Sequence, residues 1–200
     1  MKLYRGINFG GYLSQCEHTL EHYATFITKE DVKKVKDLGF DHIRLPIDYE
    51  VLETKEGFEY TEGIAYVNQF LLWCEEYEMD VVLDLHKAYG YDFNDAGDPS
   101  KNNLFANEEL QKRFVDLWTR LAQHYGKLPY VAFELLNEVV EEHVADNWNK
   151  LIDVTVNAIR RYAPDTPIIY GGIQWNSART LKLLNKPEDD NIIFTFHMYE

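Results

Sequence analysis

Cysteine is scarce in this chain. Cys16 and Cys74 are the only two, too few for a disulfide framework, and they read as ordinary thiols. Basic residues are outnumbered: 20 Lys and Arg face 34 Asp and Glu, a net charge of -14. That balance argues against nucleic acid and anionic membrane surfaces as partners and suits a neutral or cationic ligand better. No apolar run approaches the ~20 residues of a membrane span. The N-terminal MKLYRGINFGG lacks the long apolar core of a signal peptide. If Met1 is the native start, the protein is expected in the cytoplasm; if a leader has been removed, it is expected to be secreted. Phosphate-loop spacing is missing, as are low-complexity segments and linkers. What remains is one domain, 1–200, with 46% hydrophobic residues, large enough to bury a real core.

The apolar runs that are present have two periods, and the periods alternate. Short runs rich in β-branched and aromatic residues occupy 3–8, 41–47, 80–86, 130–137, 167–172 and 191–198. They are apolar at successive positions, as expected for strands of a parallel sheet covered on both faces. Between them, KEDVKKVKDLG, TEGIAYVNQFLLWCEEYEM, NEELQKRFVDLWTRLAQHYG and DNWNKLIDVTVNAIRRYAP place apolar residues at helical spacing. Asp146 or Asn147 is the expected cap of the last, and SARTLKLLN reads as a shorter helix. Regular βα alternation implies right-handed crossovers in either a barrel or an open doubly wound sheet. The first turn, FGGYLSQ, lacks the G-x-G-x-x-G of a dinucleotide-binding sheet. The fold class is therefore α/β, a TIM (β/α)8-type barrel, with about the first six βα units in this chain.

Polar residues recur where the strands end. Asn8 closes the first, Arg44 lies near the end of the second, and His86 closes the third. Asn137 and Glu138 close the fourth, and His197 and Tyr199 the sixth. Each has a bland explanation alone: Arg44 as a loop brace, His86 as a satisfied core histidine. In a parallel sheet, however, these ends meet at one mouth, where β/α barrels carry their active sites. The converging set points to chemistry.

The pieces RGIN (5–8), IRLPI (43–47), LDLH (83–86), FELLNE (133–138) and FTFHMY (194–199) come one per strand, in order, across almost the whole chain. In these motifs the sequence resembles glycoside hydrolase family 5, the cellulase family of retaining barrel glycosidases. It departs from the family at Val139, where proline is usual. The resemblance implies hydrolysis of β-linked glucans by double displacement, with no metal or other cofactor. It implies Glu138 as the acid/base, its pKa raised by burial, and Asn137 as a hydrogen-bonding partner of the sugar 2-hydroxyl. It also implies that Arg44 and Tyr199 serve the nucleophilic carboxylate, and that His86 and His197 hold sugar hydroxyls and the carboxyl pair. Asn8 joins the substrate-binding set. Mannan, xyloglucan and β-1,3-glucan are the alternative substrates, and an inactive carbohydrate-binding barrel is the alternative function.

The loop KAYGYDFNDAGDPSKNN is long and polar yet carries Tyr89, Tyr91 and Phe93, which are expected to wall a sugar cleft. Trp175, just past the fifth strand, is the expected sugar platform. His18, Glu21 and His22 fit H-x-x-E-H, an inverted zinc-peptidase pattern, with Cys16 nearby. Five-residue patterns recur by chance and this one lies in a short segment, so no metal is expected. A closed barrel needs eight strands and typically ~250 residues, but only six strand runs occur here. The family's nucleophile, on the seventh strand, and an aromatic platform, on the eighth, are therefore expected outside the chain. Glu200, past the sixth strand, is a poor substitute. An isolated chain of this kind is expected to be inactive and to associate unless the missing strands are supplied.

Overall fold

The computed structural model describes every residue except Lys2, Phe58 and Glu200. The expectation for Glu200 thus lies outside the described residues. Six strands, β1 (Gly6–Asn8), β2 (His42–Asp48), β3 (Asp80–Lys87), β4 (Val131–Glu134), β5 (Ile168–Gly171) and β6 (Ile192–Thr195), pair in sequence order. Every pairing is parallel. The connections carry α1 (Leu20–Thr25), α2 (Lys29–Asp37), α3 (Tyr49–Leu52), α4 (Ile64–Glu76), α5 (Glu108–Tyr125) and α6 (Ala145–Arg160). No helix among the described residues is long and apolar enough to cross a membrane.

Local chemistry sets the helix ends. Asn107 caps α5 by accepting from the N–H groups of Glu109 and Leu110, while Thr28 and Asp31 form a capping box on α2. Gly39, at φ +81°, turns the chain out of α2 into β2 through a left-handed conformation. Two expectations are corrected here. Val144, not Asp146 or Asn147, occupies the N-cap of α6 and makes no side-chain cap. Asn147 instead donates to the Phe105 carbonyl, and Asp146 places negative charge in the first turn. The segment 177–185, expected as a shorter helix, is helical only over Ala178–Leu183 and of the tighter 3-10 type, behind Ser177, whose hydroxyl accepts from the Arg179 N–H.

Side-chain alternation divides the core. The outward positions Ile43, Leu45, Ile47, Val81, Leu83, Leu85, Val131, Phe133 and Ile168 join the helices in one large apolar cluster. The inward positions Val82, Ala132 and Ile169 form a separate small cluster with Leu3 at the bottom of the curl. Above them the inward face becomes polar, with Arg44, Asp84, His86 and Glu134 following one another along β2, β3 and β4. Strands apolar on both faces are thus found only toward the bottom. The runs are also shorter than expected at the top. β4 ends at Glu134 and β6 at Thr195, so Asn137, Glu138 and Tyr199 stand on irregular backbone beyond the ladder, and His197 on an isolated parallel bridge to Ser177. Among the described residues no strand joins β6 to β1. Near that open side, Ile193, Phe194 and Phe196 are about 39%, 41% and 50% exposed.

Candidate active site

Arg44 is the hub of the mouth. Its guanidinium grips Glu134 with two bonds, Nε to Oε2 at 2.7 Å and Nη2 to Oε1 at 2.9 Å. Nη2 also lies 3.0 Å from Asp84 Oδ2 and 3.0 Å from Asn137 Oδ1, and Nη1 donates to Asn8 Oδ1 at 2.9 Å. Glu134 and Asp84 are both buried. Two carboxylates thus share one fixed cation, a planar fork suited to that geometry. Burial pushes the Glu134 carboxyl up, against the pull of Arg44, and the Asp84 charge pushes the same way. Burial works against the charge of Arg44, but the carboxylates of Asp84 and Glu134 outweigh it and hold its proton more tightly than usual. The resemblance gives Arg44 to a nucleophilic carboxylate. In the structure its donors go to Glu134, Asp84, Asn8 and Asn137, because neighbouring strands aim those groups at it.

Asn137 is oriented by that hub. With Oδ1 accepting from Arg44, its amide N–H2 is the end left for the cleft. Glu138 follows, and its Oε1 receives His197 Nδ1 at 2.6 Å and the Tyr199 hydroxyl at 3.1 Å. Burial raises this carboxyl, but the hydrogen bond and charge of His197 and the hydrogen bond from the Tyr199 hydroxyl bring it below its ordinary value of 4.5. A raised pKa was expected, so this is a correction. The donors from beyond β6 are the physical cause. Tyr199 shifts the other way: burial, then the Glu138 charge, raise its phenol.

Asn8, Arg44, His86, Phe93, Asn137, Glu138, His197 and Tyr199 all line one cleft of about 650 Å³. Phe93 meets the His86 ring edge-on at 5.1 Å. The other loop aromatics depart from expectation. Tyr91 is buried and does not wall the cleft: its hydroxyl lies 2.9 Å from the Glu138 carbonyl and accepts the Val140 N–H at 2.7 Å. It clamps the turn that carries the carboxylate. Tyr89 packs edge-on against Tyr49 and carries the Arg113 guanidinium over its face, the guanidinium carbon 3.6 Å from the ring centroid, away from the cleft. Trp175, half exposed, stands in a neighbouring pocket of about 540 Å³ with Ala96, Gly97, Val140 and His143. Its backbone N–H donates to the Val139 carbonyl at 3.0 Å, tying that pocket to the same turn.

The H-x-x-E-H residues do not converge. His18 Nδ1 meets the Tyr23 hydroxyl at 2.7 Å and its Nε2 lies 3.2 Å from Asp48, while His22 Nε2 bonds the Gly11 carbonyl at 2.8 Å. Among the described residues, the one His and carboxylate group close enough to share an ion is His18, Asp48 and Glu50, a different set. Three site residues escaped sequence reading: Glu134, Asp84 and Gln15. The first two had a signal, since they stand four and two positions before Glu138 and His86 on the same inward face. Gln15, in a turn, had none.

A sequence model described as Cellulase (glycosyl hydrolase family 5) matches residues 6–200. The chain belongs to glycosyl hydrolase family 5. Cellodextrinase A of Ruminococcus flavefaciens is 39% identical over 197 residues, 98% of this chain and 58% of that protein. Endoglucanase C of Acetivibrio thermocellus is 43% identical over 198 residues, 97% of this chain and 57% of that protein. The chain therefore spans less than three-fifths of the length of these relatives. A solved structure, the Clostridial cellulose synthase subunit Z (CcsZ) from Clostridioides difficile, superposes with a TM-score of 0.83 at 27% identity. It covers 100% of this chain and 62% of that one. The six strands are thus part of a family 5 TIM-barrel architecture.

Proposed function

We propose that the protein hydrolyses β-linked glucans with retention of configuration, and that Glu138 is its acid/base. The observation that carries this is the Glu138 carboxylate at the cleft, held by His197 and Tyr199 beside an Asn137 amide fixed by Arg44. A retaining site needs a second carboxyl group about 5–5.5 Å from the first. Glu134 and Asp84 are engaged by Arg44, so the nucleophile is assigned to sequence outside residues 1–200. The coverage of the relatives supports the same assignment, with 1–200 as one part of a single catalytic domain. Glu138 must be protonated to act as acid. The negative charge of a second carboxylate nearby would raise its pKa, countering His197 and Tyr199.

In this arrangement Glu138 protonates the leaving glycosidic oxygen while the nucleophile forms the glycosyl-enzyme. It then takes a proton from the water that releases the sugar. Asn137 donates to the 2-hydroxyl, Phe93 lines the wall, and Trp175 supplies a stacking face in the adjoining pocket. The names of the relatives, a cellodextrinase and endoglucanases, favour β-1,4-glucan over mannan, xyloglucan and β-1,3-glucan. The test is hydrolysis of a panel of these polysaccharides by the longest form of the protein that carries these residues. Proton NMR should read the first-formed anomer. β-Anomeric product from a β-1,4-glucan is expected. First-formed α-anomer would refute retention, and turnover confined to another polysaccharide would refute the substrate.

A further inference from the structure

Gln15 enters the cleft from the turn after β1, and its placement is constrained on both sides. Its backbone stands at φ +52°, a left-handed conformation uncommon for a residue with a side chain. Its N–H is fixed at 2.8 Å on Oδ2 of the fully buried Asp48. Its side-chain amide lies 3.1 Å from His86 Nε2.

The direction of that last bond follows from the groups behind it. Asp84 Oδ2 receives Arg44 Nη2 at 3.0 Å and His86 Nδ1 at 2.6 Å. An ionised carboxylate only accepts, so Nδ1 carries a proton. In the neutral ring Nε2 is then the acceptor. The Gln15 amide must present N–H to His86, which leaves its carbonyl oxygen free at the cleft. Building on the glucan-hydrolase reading, we propose that Gln15 is a substrate-binding residue whose carbonyl accepts a hydrogen bond from a sugar hydroxyl. Its orientation is set by Asp84 through His86. Asp84 is accordingly a positioning residue, linking the Arg44 hub to recognition by the turn after β1.

Two measurements on the longest form of the protein test this. Nitrogen-resolved NMR of the His86 ring reads which nitrogen is protonated; Nδ1–H with bare Nε2 is expected. A proton on Nε2 would reverse the Gln15 amide and overturn the proposal. Titration with cellotetraose under non-turnover conditions, with Glu138→Gln as the common background, reads the sugar contact. Adding Gln15→Ala should weaken binding by about threefold to tenfold, the loss of one neutral hydrogen bond. Gln15→Asn, which tolerates the left-handed backbone but is one methylene shorter, should weaken it similarly. Unchanged affinity in both variants would overturn the role of Gln15 while leaving the glucan reading intact. Failure of the Gln15-containing background to bind would instead overturn the glucan reading and the sugar contact with it; the NMR result then still decides the orientation.

Discussion

At the scale of single residues, Arg44 neutralises two buried carboxylates at once, so its removal is a stability event as well as a functional one. Arg44→Ala would strand Glu134 and Asp84 without their cation. A loss of about 3–5 kcal/mol is expected for breaking a buried pair, measured by urea denaturation. A loss below 1 kcal/mol would show that the cluster is solvated. Glu138 gives a prediction of a different sign and place. Its folded pKa lies below its ordinary 4.5, so its bonds to His197 and Tyr199 favour the ionised form. The stability it contributes is present above pH about 4.5 and fades as pH falls through the depressed folded value. Comparison with Glu138→Gln across pH 3–7 isolates it. The advantage of the glutamate should shrink on acidification, and a difference that stays constant or grows there would reverse the sign.

At the scale of elements, the turn after β4 is held by a residue that the loop composition misassigns. Tyr91 looks like a cleft aromatic in the sequence, yet its ring is in the core and its hydroxyl satisfies the buried Val140 N–H. Tyr91→Phe leaves that donor unpaired, and a loss of about 1–3 kcal/mol is expected by thermal or denaturant unfolding. No loss would mean that another acceptor replaces it. The contrast shows what a sequence can carry. Six strands, the major helices and the polar residues at strand ends are legible because their signal is local: an apolar period, a cap, a position at the end of a run. Tyr91, Tyr89 and the partners of Arg44 depend on which loop folds over which strand, and periodicity does not encode that. Glu134 and Asp84 lie between these cases, readable from alternation once the inward face is recognised as polar. The shift of Glu138 needed donors from two strands away in the sheet order.

At the scale of the whole molecule, the sheet curls but has two lateral edges, and apolar side chains on and just beyond β6 are exposed. Such an edge pairs readily with another chain. We expect the isolated 200-residue chain to associate, with an apparent mass in sedimentation that rises with concentration, and to become monomeric when further barrel strands are supplied. A concentration-independent monomer would contradict this. A comparison of leaving groups isolates the proton that Glu138 delivers. In the longest form of the protein, Glu138→Gln should lower kcat/KM on unactivated β-glucan by about 10²–10⁴-fold, the usual worth of a general acid. An aryl cellobioside with a good leaving group needs little protonation, so its glycosylation step, read as the burst of released phenol, should lose far less. Equal losses on both substrates, or undiminished turnover of the glucan, would contradict the assignment of Glu138 as the acid/base.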